Sequence, residues 1–494
     1  VAAAICAGLA CSQGCSDADP YDKPLALSAP VPVASGVIFH DSAAERLVTV
    51  RPADNDRIGS IAYDGSPKTQ SATPDGKRLV LHDVQGRTLA IASPADEKAT
   101  TYDLPAEFSA NVVAPDSQAA VVYHGGSTSA ASLVNTAEVG LVDFLTAPGE
   151  TNPRVATITG LARAPIRAHV SAEVEAADGK HRVVWIDAQS MIGVADFAPG
   201  GKVRTLVIPL VAVDSKALIT PRATVARGGG GKLELYVIAQ GSNDVLHITM
   251  DLGQAKLGAS LDQIASGADP VSLHVFEAKA GRRVLTANHT SRDVAILDPT
   301  TGTGTVVHLG TPTTKIVPFE NAKGEPMALL WRSGLTDFHL VDLDRVAKKK
   351  GKAISRIHVD QPIRNVVAAG ASFILQHDSA DRGLSLYNTE TGKQTVFGGT
   401  GTLSHVLKVG DAVFALGRAG GDSRISRISL NDLHPTSIAL KNRTTTSLVP
   451  FGEAGVAAAG PGLGGWWLAL FASGTLKAKD GAWLEGFVLE GVLQ

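Results

Sequence analysis

The stretch Thr73-Pro-Asp-Gly-Lys-Arg-Leu-Val-Leu-His82, followed by Arg87-Thr-Leu-Ala-Ile-Ala92, decides how the chain is read. An Asp-Gly turn opens a short apolar run that ends on polar residues. A loop follows, then a second apolar run of similar length. Short runs bounded by turn residues read as antiparallel strands. The phrase returns at Gly231-Lys-Leu-Glu-Leu-Tyr-Val-Ile-Ala-Gln240 with Asp244-Val-Leu-His-Ile-Thr249. It returns again at Ala280-Gly-Arg-Arg-Val-Leu-Thr-Ala-Asn288 with Asp293-Val-Ala-Ile-Leu-Asp298.

Working outward, the first turn of each unit falls near residues 43, 75, 116, 178, 230, 280, 323, 370, 410 and 453. That makes ten units with a mean spacing of about 46 residues, the length of one propeller blade. A fourth strand is legible at Arg154-Val-Ala-Thr-Ile-Thr159, Val306-Val-His-Leu309 and Ile354-Ser-Arg-Ile-His358. Val183-Val-Trp-Ile186 and Leu329-Leu-Trp331 are apolar at consecutive positions, as a sheet covered on both faces requires. One such sheet cannot bury both faces alone, and stacking blades around an axis covers them. The expected fold is therefore all-β: a β-propeller of four-stranded antiparallel blades. A single large ring of eight to ten blades is the first reading, and two smaller propellers in tandem is the alternative. Trp483-Leu-Glu-Gly-Phe-Val-Leu489 is the candidate closing strand, completing a first unit whose fourth strand is not apparent.

Pro74-Asp-Gly-Lys-Arg-Leu-Val80, and Arg283-Val-Leu-Thr-Ala-Asn288 followed by Val294-Ala-Ile-Leu-Asp298, resemble the YVTN-type repeats of bacterial WD40-like propellers. Asp298-Pro-Thr-Thr-Gly302 and Asn388-Thr-Glu-Thr-Gly392 resemble the Asp-x-x-Thr-Gly hairpins common in their blades. The resemblance implies the fold and is nearly silent on activity.

The ends and the bulk add limits. With 45 basic and 48 acidic residues the net charge is -3, which gives no electrostatic preference for nucleic acid or anionic membrane. Cys6, Cys11 and Cys15 are the only cysteines, so the body of the chain holds no disulfide framework and no cysteine zinc site. Residues 1–15 read as a signal segment. Gly8-Leu-Ala-Cys11 resembles a bacterial lipobox, with Cys11 the lipidation candidate and Cys15 the other choice. Gly8 stands where that motif usually has Leu, and a cleaved, unlipidated export signal is the alternative. Residues 16–34 then read as a tether, and residues 35–494 as the propeller.

In a meander, the loops after the second and fourth strands share one rim. The ends of the second strands place His82-Asp83, His124, Asp187, Gln240, His289, Arg332, His377-Asp378 and Arg418 there. His82, Asp83, His124, His289, His377 and Asp378 are the candidates for a ligand-binding rim. Four imidazoles at comparable positions could bind an anionic ligand or a metal. Ordinary solvated strand ends would look the same. Neighbouring blades hold such groups too far apart for one ion, so no metal, cofactor or catalytic residue is assigned. Lys348-Lys-Lys-Gly-Lys352 reads as a solvated hairpin tip, Gly228-Gly-Gly-Gly231 as a hairpin turn and Trp466-Trp467 as blade core. The functional expectation is a non-enzymatic, exported binding or scaffold module of the bacterial envelope. It would sit in the periplasm, outer membrane or cell surface, with a protein or polysaccharide partner and membrane contact only through a lipid anchor. The alternative is a propeller enzyme, lactonase-like or quinoprotein-like, with its site at the channel mouth.

Overall fold

The computed structural model describes residues 26–51, 57–125, 135–211, 218–279, 281–348, 353–379, 382–398, 401–419, 422–440, 443–451, 455–462, 465–472, 476 and 478–484. The described chain forms ten antiparallel sheets, nine of four strands and one of five, each built from consecutive strands. These blades span residues 31–62, 69–103, 110–157, 165–209, 220–265, 270–308, 315–358, 363–397, 402–440 and 447–484. First strands of neighbouring blades touch around the axis, as Thr220–Gly229 does Pro270–Ala278. The ring closes where Val31–Val33 meets Ser447–Phe451. Val37, Phe39 and Val48 of blade 1 share one buried cluster with Phe451, Ala457 and Leu468 of blade 10. A core spanning both chain ends makes this one ring of ten blades and removes the two-propeller alternative.

The core sits in the seams between blades. Val183, Val184, Trp185 and Ile186 are all buried, but they belong to two clusters. Val183 and Trp185 pack toward blade 5, whereas Val184 and Ile186 pack toward blade 3. The pleat sends alternate side chains to opposite faces, and both faces are covered. The two Thr-Gly hairpins take the same form. The Asp298 carboxylate accepts the Thr300 N–H at 2.9 Å, and the Asn388 amide oxygen accepts the Glu390 N–H at 2.9 Å. Gly302 and Gly392 close these turns at φ 65° and 66°, a conformation costly for a residue with a Cβ.

Three boundary expectations need correction. Blade 1 has its own fourth strand, Arg57–Ala62, which the short sequence Arg-Ile-Gly-Ser-Ile-Ala concealed behind a Gly. The carboxy-terminal strand Ala478–Leu484 instead completes blade 10, pairing Trp483 with Ala469; residues 485–489 lie outside the described residues. The first hairpin of blade 1 lies between Val31–Val33 and Gly36–Asp41, not near residue 43. The propeller therefore begins inside the stretch read as a tether, and Leu27 is already buried against Phe39 and Val50. Gly228-Gly-Gly-Gly231 does form a hairpin tip, with Gly230 and Gly231 at positive φ. Cys11, Cys15, the run 349–352 and the side chains of Trp466 and Trp467 lie outside the described residues.

Candidate functional site

The second strands end where the sequence placed them, but most of the rim candidates face seams rather than solvent. His82 and His124 lie two residues beyond Val80 and Val122, which share the blade 2–blade 3 core. The His124 ring packs on Phe108 at 4.8 Å. Neither ring nitrogen of His82 has a hydrogen-bond partner, and burial pushes its pKa down to about 4. Burial also lowers His124. Both are neutral core side chains near pH 7. The Asp83 carboxylate accepts the N–H groups of Ser66 and Gly86, both at 2.8 Å, and so ties two rim loops together. His377 is fixed by the Pro362 carbonyl at 3.1 Å and the Ser385 hydroxyl at 2.7 Å. Asp378 is exposed and lies 3.5 Å from Arg364. A plain solvated-end reading therefore fails for His82, His124 and His377. An apolar seam accepts an uncharged imidazole, and sequence alternation alone did not separate seam from solvent.

The first strands form the channel wall, and at its mouth five of them share an irregularity. The pairing slips by one residue at Ile166, Arg222, Val271, Arg364 and Ser404. Such bulges turn a side chain out of the sheet. Around them runs a set of contacts that crosses seams. Arg222 donates to Asp269 of blade 6 at 2.6 Å and holds that carboxyl below its usual pKa. His289 lies 3.4 Å from Asp269 through Nδ1 and accepts from Arg332 of blade 7 through Nε2 at 3.1 Å. Arg332 can only donate, so Nε2 is the accepting atom of that contact. Blades 5, 6 and 7 are thus linked at the mouth.

Blade 4 carries the largest departure from the repeat. Its innermost strand, Pro165–Val170, stops early and resumes as Val174–Ala176. Arg182 holds the interruption open. Its guanidinium donates to both Asp116 oxygens of blade 3, at 3.0 and 2.9 Å, and to the Ser171 carbonyl at 3.1 Å. Asp116 also accepts the Glu173 N–H at 3.1 Å. The displaced loop leaves a cleft of about 530 Å³ in the channel wall, lined by Val112, His169, Glu173, Trp185, Thr224 and Arg227 among others. The imidazole of His169 stacks on Trp185 at 5.1 Å with planes 9° apart. Beneath them the fully buried Asp187 carboxylate accepts from Arg167 at 3.0 Å, His169 Nε2 at 3.1 Å and Thr224 at 3.2 Å. The Thr224 hydroxyl points its proton at Asp187 and not at His169, so this pair activates no nucleophile of its own. Among the described residues, no group of three His, Cys, Asp or Glu side chains is placed to hold a metal ion.

Sequence reading named Asp187 as a strand end but missed His169, Trp185 and Arg222. The available signals were Pro165-Ile-Arg, Pro221-Arg-Ala and Pro270-Val-Ser, where Pro opens a first strand and marks its bulge.

No family model matches the chain, and no curated protein matches it. Solved structures do. A eukaryotic initiation factor aligns over 80% of this chain and 93% of its own, at 10% identity and a TM-score of 0.49. The dihydro-heme d1 dehydrogenase NirN aligns over 76% of this chain and 75% of its own, at 12% identity and a TM-score of 0.43. Apo AztD from Citrobacter koseri aligns over 76% and 96%, at 12% identity and a TM-score of 0.36. The likeness stops at the propeller. These proteins differ in function, and identities this low transfer none of it.

Proposed function

We propose that the chain is a non-enzymatic binding or scaffold propeller of the bacterial envelope, of YVTN/WD40-like type. It is exported and held through Cys11 in the periplasm, outer membrane or cell surface. Its mouth rim meets a protein or polysaccharide partner. One observation carries the binding reading: Asp83, His377, Asp269 and His289 of the rim are engaged in contacts that hold the ring together. Asp83 ties loops, His377 is anchored at both nitrogens, and Arg222, Asp269, His289 and Arg332 link three blades. A rigid rim of committed groups suits recognition by shape and hydrogen bonding, whereas acid–base catalysis needs a group free to exchange a proton. The export part rests on the amino-terminal sequence.

Site-specific photo-crosslinking in the producing cell tests the reading. A crosslinker at exposed Ser333, on the mouth rim, should yield partner adducts in the envelope fraction. The same group at exposed Gly253, on a third-to-fourth-strand turn of the opposite rim, should not. Adducts equal at both positions, or none at Ser333, would reject the rim as the binding face.

A further inference from the structure

We infer that the channel-wall cleft of blades 3–5 binds one sugar ring of a glycan. This rests on the binding reading above and narrows its ligand. The cleft of about 530 Å³ falls within the size range of small-molecule sites and opens where the inner strand of blade 4 is interrupted, between blades 3 and 5. Two polar atoms on facing residues of adjacent strands are left without partners there. Trp185 is 4% exposed, and its indole N–H makes no hydrogen bond. A buried donor of this kind is costly unless something accepts from it. His169 engages Asp187 through Nε2, which leaves its Nδ1 with no hydrogen-bond partner among the described residues. Two unpartnered ring nitrogens, on rings 5.1 Å apart, match a hydroxyl-bearing ligand, since each hydroxyl both accepts and donates.

The rest of the lining agrees. Val112, Val113, Val174 and Leu233 offer an apolar wall for the C–H face of a sugar. The imidazole stacks on Trp185, and its side chain stays 24% exposed, so part of it is open to a ligand. Formal charge is balanced in the lining: Glu173 and Arg227 oppose one another. Glu173 is held by Lys180 at 3.0 Å, and Arg227 reaches the Val275 carbonyl at 2.9 Å. A neutral ring fits that balance better than an anion.

The test titrates the full chain with maltose, cellobiose and the N-acetylglucosamine dimer, and in parallel with glucuronate. Calorimetry gives affinity, and the indole N–H resonance that disappears in Trp185→Phe reports the site. At least one neutral disaccharide should bind and move that resonance. Trp185→Phe and, separately, His169→Phe should each weaken binding about 10-fold, the loss of one hydrogen bond. The proposal is overturned if no neutral disaccharide binds, if glucuronate alone binds, or if binding leaves the Trp185 resonance and both variants unchanged. Adducts at Ser333 that persist alongside those outcomes would leave the rim reading standing without this site.

Discussion

His82→Leu isolates the cost of placing a histidine in a seam. The residue is fully buried, both ring nitrogens lack partners, and burial pushes its pKa down to about 4 from 6.5. Between those two values the unfolded chain binds a proton that the folded chain refuses. Stability therefore falls as pH drops through this window, and the whole effect is absent above 6.5. The full difference is about 3 kcal/mol at 1.36 kcal/mol per unit. Between pH 7 and pH 5 the same relation gives a loss of about 2 kcal/mol. Leucine has similar bulk and no charge to acquire, so the variant lacks this slope.

Urea unfolding of both proteins at pH 7 and pH 5 measures it. Other histidines with burial-lowered pKa values, such as His40, His274 and His339, act in both proteins and cancel in the comparison. The variant should match or exceed the parent at pH 7, because two unsatisfied nitrogens are gone. Its advantage should grow by about 2 kcal/mol at pH 5. An equal gap at both pH values would refute the argument, since it would mean that His82 protonates as freely in the ring as in the unfolded chain.

Other outcomes follow from the same contacts. Asp187→Asn should cost about 3 kcal/mol by urea unfolding, because it removes a buried charge that Arg167 and His169 share. Parent-like stability would dismiss Asp187 as an anchor. Phe451→Ala should cost about 3–5 kcal/mol. It should raise hydrogen exchange in blade 1 near Phe39 as well as in blade 10 near Ala457, since both pack against it; a response confined to blade 10 would deny closure. Elemental analysis of purified chain should find no stoichiometric metal, and His82→Ala/His289→Ala should leave metal content unchanged; a bound ion lost in that variant would revive the enzymatic reading.

Blades were legible because their signal is local. Ten turns recur at a mean interval of about 46 residues, and nine of them fall between the first and second long strands of a blade. The ring closure was not legible, because Phe451 and Phe39 are adjacent only in space. Polar strand ends were legible as positions but not as environments. His82 and Asp378 end their strands in the same way, yet one is sealed in a seam and the other is exposed. Which face a strand end presents depends on the neighbouring blade's packing, and a single blade's sequence does not carry that.

The repeat itself explains why the cleft was harder to read than the fold. A pattern search rewards what blades share, so it passes over what one blade does alone. In blade 4 the inner strand has an ordinary alternating sequence up to Val170, and nothing in Ser171-Ala-Glu173 announces a break. The break comes from Arg182, whose guanidinium reaches across the seam to Asp116 at 2.9 Å. Sixty-odd residues separate the two in sequence, and the pair has meaning only once blades 3 and 4 are packed. Asp116 belongs to a hairpin turn whose Pro-Asp-Ser reads as ordinary turn chemistry. Its second role, holding a neighbour's inner strand away from its sheet, gives the repeated wall an opening at blade 4. In a ring of near-equivalent blades, a single long-range ion pair is enough to make one blade different, and the unpartnered indole of Trp185 lies beside that opening.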